Sequence, residues 1–325
     1  MIDAAAFWVR EPGVGEIRPS TVRDPGPDEV LVRALYSGIS RGTETLVFTG
    51  RVPPGQYDRM RAPFQDGDFP GPVKYGYLNV GVVQAGPAQL LGRTVFCLYP
   101  HQSAYVVPAA AVTVVPAGVP ATRAVLAGTV ETGINACWDA RPLVGDRITV
   151  VGAGQSHEHG GQAAADHAGA RVTLVDVDAA RAAVADALGV AFALPDDAPD
   201  RQDLVFHASA TADGLTLALR LLRSEGEVIE LSWYGDRAVS VPLGEAFHSG
   251  RLTVRASQVG AVAPARRGHR TMAERLALAL DLLRDDKFDA LLSGESTFSE
   301  LPRVLPALAS GEWSALCHVI TYGKG

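Results

Sequence analysis

Two glycines and an aspartate are the residues of this sequence whose spacing most directly suggests chemistry. Val150-Val151-Gly152-Ala153-Gly154 ends the apolar run Ile148–Val151, and Asp176 closes a second apolar run, Val172–Val175. A strand, Gly-x-Gly, a helix, a second strand and an acid form the layout that cradles a dinucleotide. The first glycine makes the tight turn, the second lets backbone approach the pyrophosphate, and the helix start offers N–H groups to the anion. Asp176 is spaced to accept the ribose hydroxyls and to repel a 2′-phosphate, which favours NAD over NADP.

The loop departs from that layout at His157, where a third glycine would let helix and strand pack closely. Gly160 and Gly161 each disfavour a helix start by roughly 1 kcal/mol relative to Ala. The helix is therefore expected to begin late, near Gly161 or Gln162, behind a polar loop that puts Glu158 near the phosphate subsite. Two outcomes stay open: a rebuilt loop that still binds NAD, or a site whose cofactor affinity is weakened or lost. His157, Glu158 and His159 are adjacent and lack a third partner, so no metal site is expected.

The elements that must position these residues fall into two groups. Val30–Tyr36, Asn79–Gln84, Thr94–Leu98, Ala104–Val107 and Ala111–Val115 read as short strands separated by Gly and Pro, the pattern of a small barrel or sandwich. Ala124–Ala140 is helix-compatible. Beyond it strands at Ile148–Val151, Val172–Val175, Leu204–His207 and Glu227–Leu231 alternate with helical stretches at Ala179–Leu188 and Leu215–Leu222. That alternation predicts βαβ units and a parallel sheet. The expected organisation is a β domain over 1–124 and 262–325, with an α/β doubly wound, dinucleotide-binding domain over 125–261.

Composition narrows the function classes. The net charge of −7 argues against a nucleic-acid surface, and Arg266-Arg267-Gly268-His269-Arg270 is too short a cluster to reverse that. No apolar run reaches the roughly 18 residues of a membrane span. Met1-Ile2-Asp3-Ala4 does not open a signal peptide. Cys97, Cys137 and Cys317 are odd in number and scattered, which predicts free thiols in a reducing cytoplasm rather than disulfides or a thiolate zinc site.

Several segments together resemble the medium-chain dehydrogenase/reductase family, in its zinc-free, bacteriochlorophyllide a dehydrogenase-like subgroup. They are Ser37-Gly38-Ile39-Ser40-Arg41-Gly42-Thr43-Glu44, Val73-Lys74-Tyr75-Gly76-Tyr77, Val95–Gln102, Glu131-Thr132-Gly133-Ile134-Asn135, Ser232-Trp233-Tyr234-Gly235, Phe247-His248-Ser249 and Ser257-Gln258-Val259-Gly260. The resemblance implies a GroES-like β-barrel catalytic domain beside a Rossmann domain, a site lying between them, and pairing into a homodimer. Zinc-dependent members carry Cys where Ser40 stands and His-Glu where Tyr77-Leu78 stand, so no Lewis acid is expected and hydrogen bonds must manage any alkoxide.

The resemblance also lines the site with Ser40, Arg41, Thr43, Glu44, Lys74, Tyr75, Tyr77, His101 and Glu131, and it puts Thr132 beside the cofactor with Gly152, Gly154, His157 and Asp176. His101 is the first candidate for proton transfer. Tyr77 stands at a lost zinc position, with Lys74 near enough to depress its phenol. Glu131 could orient Lys74 or His101, or could serve a helix start; Glu44 could pair with Arg41. The expected activity is zinc-independent interconversion of a secondary alcohol and ketone on a bulky small molecule with NAD or NADP. The alternative is a cofactor-free cyclisation, elimination or isomerisation on the same fold.

Overall fold

The computed structural model describes residues 1–152 and 170–323 and divides into two compact units, Met1–Gly128 with Leu280–Gly325, and Thr129–Ala279. The second boundary lies well beyond the expected residue 261. The helix Met272–Leu282 carries Arg275, whose guanidinium is wholly buried against Glu131 and Asn135, so this stretch is held by the second unit.

The second unit is built on a six-stranded parallel sheet in the order Ala191–Ala193, Arg171–Val175, Arg147–Val151, Gln202–His207, Leu222–Glu230, Thr253–Ala256. By sequence that is strand order 3-2-1-4-5-6, doubly wound about the first strand. Alternate residues feed two cores. Ile148, Val150, Leu204, Phe206 and Ile229 pack on one face, and Val151, Val205, Val228 and Leu217 on the other. Burial on both faces explains why these strands read as continuous apolar runs.

The first unit holds two sheets. One orders Val14–Val22, Ile2–Glu11, Val73–Lys74 and Asp66–Gly67. The other runs Leu292–Thr297, Cys317–Thr321, Glu29–Ser40, Asn79–Ala85, Thr94–Cys97, Val112–Val114, with Ala104–Pro108 paired to Glu29–Ser40. Among the described residues an isolated bridge, Ala6 to Gln102, ties the first sheet to the segment leading into Ala104–Pro108. The hairpin Ile2–Glu11/Val14–Val22 was not expected. Its second strand, with Glu16, Arg18, Pro19 and Ser20, lies at a sheet edge and lacks a clean apolar alternation. No described helix is long and apolar enough to cross a membrane.

Candidate functional site

The long strand Glu29–Ser40 runs directly into the helix Arg41–Phe48, and this junction assembles most of the candidate side chains of the first unit. Glu44, one turn into the helix, reaches back so that its Oε1 accepts the Ser40 backbone N–H at 2.7 Å. Its other oxygen, Oε2, lies 2.8 Å from His101 Nε2. The opposite ring nitrogen, Nδ1, lies 2.7 Å from Ser37 Oγ, which is 3.0 Å from the Tyr322 hydroxyl. Ser37, Glu44, His101 and Tyr322 are all buried. Strand register explains the last contact: Ser37 pairs with Ile320 of the terminal strand, two residues before Tyr322.

His101 is 1% exposed, and both of its ring nitrogens lie within hydrogen-bond distance of protein groups. Gly76 makes its placement possible. Its φ is +125°, and a Cβ there would fall 2.9 Å from His101 Cδ2, a clash with a buried ring that could not swing away.

Tyr77 is partly exposed and donates to Ser40 Oγ at 2.6 Å. Burial, and then the charge of Glu44, push its phenol up to about 12, against the pull of hydrogen bonds with Ser40 and Thr43. The expected depression by Lys74 is therefore corrected. Lys74 turns to Gln102 Oε1 at 2.9 Å, Asp66 at 3.7 Å and the Tyr99 ring at 5.5 Å, while burial lowers its own pKa. Tyr75 and Tyr77, two apart along the chain, bring their rings to 6.1 Å edge to face. Arg41 is exposed and Glu44 bonds elsewhere, so the anticipated Arg41–Glu44 pair does not form.

Glu131 lies in the second turn of the helix Ala127–Ala140, not at its start, and its Oε1 accepts from Arg275 Nε at 3.0 Å. Arg275 also donates to the Val259 and Ala261 carbonyls, and Asn135 Oδ1 accepts the Ala263 N–H. Glu131 is thus committed to fastening the 257–263 loop. Thr132, the next residue on that helix, is partly buried.

At the C-terminal end of the parallel sheet Gly152 turns with φ +96°, where a Cβ would fall 2.6 Å from the Ser209 backbone nitrogen. Only glycine fits so close to that loop. Asp176 ends the neighbouring strand, half-buried, with Oδ1 accepting the Asp178 N–H at 2.8 Å. Gly154, His157 and the loop Gln155–Gln162 lie outside the described residues, as does the late helix start expected there.

A polar network beside Gly152 had no signal in the sequence. His207 ends the strand paired with Arg147–Val151 and is wholly buried. Its Nδ1 lies 2.7 Å from Glu230 Oε2 and its Nε2 lies 2.8 Å from Ser209 Oγ. Ser232 N–H and the Tyr234 hydroxyl also donate to Glu230. Burial by itself raises the Glu230 carboxyl, but hydrogen bonds from His207 and Ser232 outweigh it and hold the group below its ordinary 4.5. The lowered Glu230 carboxyl therefore contributes stability above pH 4.5 and loses that contribution as pH falls through the lowered value. His207→Gln is expected to flatten this acid limb when urea midpoints are measured from about pH 6 to about pH 3. A limb unchanged from wild type would show that the pair carries no stability.

Among the described residues no group of three or more His, Cys, Asp or Glu is placed to hold a metal ion.

Comparisons with known proteins fit this geometry. No family profile matches the chain. Over 68 residues, 20% of this chain and 17% of the relative, it is 43% identical to 2-desacetyl-2-hydroxyethyl bacteriochlorophyllide A dehydrogenase of Rhodobacter capsulatus. L-idonate 5-dehydrogenase of Escherichia coli superposes with a TM-score of 0.80 at 15% identity, covering 98% of each chain. An alcohol dehydrogenase of Escherichia coli complexed with NADH superposes with a TM-score of 0.77 at 15% identity, covering 99% of this chain and 100% of that one. Together with the two units described above, these likenesses show that the chain has the α/β two-domain fold of the medium-chain alcohol dehydrogenases.

Proposed function

We propose that the protein is a zinc-independent, NAD(P)-dependent cytoplasmic oxidoreductase that interconverts a secondary alcohol and a ketone on a bulky small molecule. The observation that carries this reading is the Gly152 turn at the switch point of a 3-2-1-4-5-6 parallel sheet, one strand from Asp176. A ligand in such a sheet binds outside the carboxyl ends of the strands. Gly152 brings its bare backbone against the Ser209 loop at the carboxyl end of the first strand, where a pyrophosphate would be met by backbone, and Asp176 suits ribose hydroxyls. Bound nicotinamide supplies or accepts the hydride.

The chain's own residues would manage the proton. Tyr77, kept protonated, would turn its one O–H from Ser40 Oγ to the carbonyl oxygen of a ketone and would recover the proton in the reverse sense. Ser40 Oγ, 2.6 Å away, orients the phenol, while Glu44 and His101 fix the Ser40 backbone and the floor beneath it. Zinc independence rests on residue identity: Leu78 has no donor atom, and Ser40 and Tyr77 are bonded to each other. A homodimer is part of the proposal, because the edge strand Thr253–Ala256 is exposed along its whole length.

The test is a fluorescence titration of the full chain with NADH and with NADPH. Micromolar binding of NADH, weakened by Asp176→Ala with NADPH gaining relative to it, supports the proposal. No binding of either nucleotide overturns it and leaves the cofactor-free alternative.

A further inference from the structure

The strand Gln202–His207 turns at residues 208–211 into the helix Ala212–Leu221, and this corner carries a set of groups that the redox reading does not use. Glu230, held ionised, accepts from Ser232 N–H at 2.7 Å and from the Tyr234 hydroxyl at 3.0 Å. A carboxylate can only accept, so His207 Nδ1, 2.7 Å from Glu230 Oε2, carries the proton between them. In the neutral ring that leaves Nε2 bare, and it accepts from the Ser209 hydroxyl, whose Oγ lies 2.8 Å away. The direction of each bond is thereby fixed: Ser209 donates to His207, and His207 donates to Glu230. The serine is half-buried and the ring behind it wholly buried.

Local stability is forgone to keep this corner. Ala210, next to Ser209, holds φ at +53°, a left-handed backbone that a residue with a Cβ adopts only with strain. Gly214 stands in the first turn of the helix, where alanine is the better helix former. A Cβ there would overlap Ser209 Oγ and fall 2.8 Å from His207 Nε2, so hydroxyl and imidazole occupy the space an alanine would fill. The helix cap needs neither of them, since Thr211 Oγ1 accepts the Gly214 N–H at 3.0 Å. Thr211 also approaches Ser209 Oγ, with its hydroxyl at 2.8 Å and its N–H at 3.3 Å.

We propose that Ser209, His207 and Glu230 form a nucleophile–base–acid triad that hydrolyses small carboxylic esters, an activity separate from the alcohol–ketone reading and independent of nucleotide. Ser209 Oγ attacks the ester carbonyl carbon while its proton passes to His207 Nε2, and Glu230 stabilises the imidazolium. The Ala210 N–H is committed to Ser232 Oγ at 3.1 Å. The oxyanion is therefore met by the first-turn N–H groups of Ala212 and Asp213, which have no acceptor within their own helix. The bond to the leaving alcohol breaks as His207 returns the proton to that oxygen. Water then repeats the sequence on the acyl-serine, so ester and water become acid and alcohol. Esters are favoured over amides because an alcohol leaves more readily than an amine.

The test treats the full chain, without added nucleotide, with a fluorophosphonate probe and locates the adduct by peptide mass spectrometry. Release of nitrophenolate from para-nitrophenyl acetate is followed in parallel. Ser209 is expected to take the probe about 10²- to 10⁴-fold faster than N-acetylserine amide does, the range a positioned general base supplies. Ser209→Ala should bring nitrophenolate release down to that of buffer, and Glu230→Gln should slow labelling by about tenfold or more. Wild-type Ser209 labelled no faster than N-acetylserine amide, or an adduct on other residues alone, would overturn the triad; this readout needs no variant to fold. So would nitrophenolate release undiminished in a Ser209→Ala protein that unfolds at the wild-type temperature, or a wild-type labelling rate in Glu230→Gln.

Discussion

Replacing Tyr77 by phenylalanine is expected to lower kcat for ketone reduction by about 10²- to 10⁴-fold, with NADH affinity unchanged within about twofold. The substitution removes one oxygen, the atom that bonds Ser40 Oγ at 2.6 Å, and leaves the ring against Tyr75. Because the phenol is pushed up to about 12, it stays protonated across the working range. The reduction rate should keep its Tyr77 contribution to beyond about pH 10 and lose it only as pH approaches the raised value. Stopped-flow rates for wild type and Tyr77→Phe across that range provide the check. A descending limb near pH 8 that disappears in the variant would mean that the phenol ionises far earlier than its surroundings imply. A variant turning over at the wild-type rate would assign the proton transfer to another group.

The second large effect concerns stability. Arg275→Met is expected to cost about 3–5 kcal/mol, because it strands the buried Glu131 carboxylate without its cation. Arg275 is wholly buried, and it supports Glu131, Asn135 and the carbonyls of Val259 and Ala261 at once. Burial already pushes the Glu131 carboxyl up, with Arg275 pulling against that shift. The paired substitution Glu131→Met with Arg275→Met should be less damaging than Arg275→Met alone, since it leaves no unpaired charge. Thermal and urea unfolding of the three variants measures both the size and the coupling. A single variant within about 1 kcal/mol of wild type would show that the loop 257–263 is held by something else.

Much of the second unit was legible from residue order. Its strands are buried on both faces, so apolar runs such as Ile148–Val151 and Leu204–His207 stand out against the Ala-rich helices between them. Gly152 and Asp176 were legible because the turn and the acid sit at fixed offsets from those strands. The first unit was less readable where strands are short or at an edge, and the hairpin over residues 2–22 went unseen for that reason. Lys74 was misjudged on proximity: three residues from Tyr77 along the chain, it turns instead to Gln102, Asp66 and Tyr99.

By itself, then, the sequence determined the βαβ alternation, the glycine turn with its acid, and side chains at 40, 77 and 78 that differ from the zinc ligands. Those are properties of residue identity and of spacing within one or two elements. The tertiary structure decided which side chains act together. Ser37, His101 and Tyr322 meet although Ser37 and Tyr322 are 285 residues apart, because the terminal strand pairs with the strand that carries Ser37. It also set His101 and Glu131 in buried pairs and left Tyr77 partly exposed. Strand register over such separations is set by packing of the whole unit, and periodicity within a short window carries no record of it.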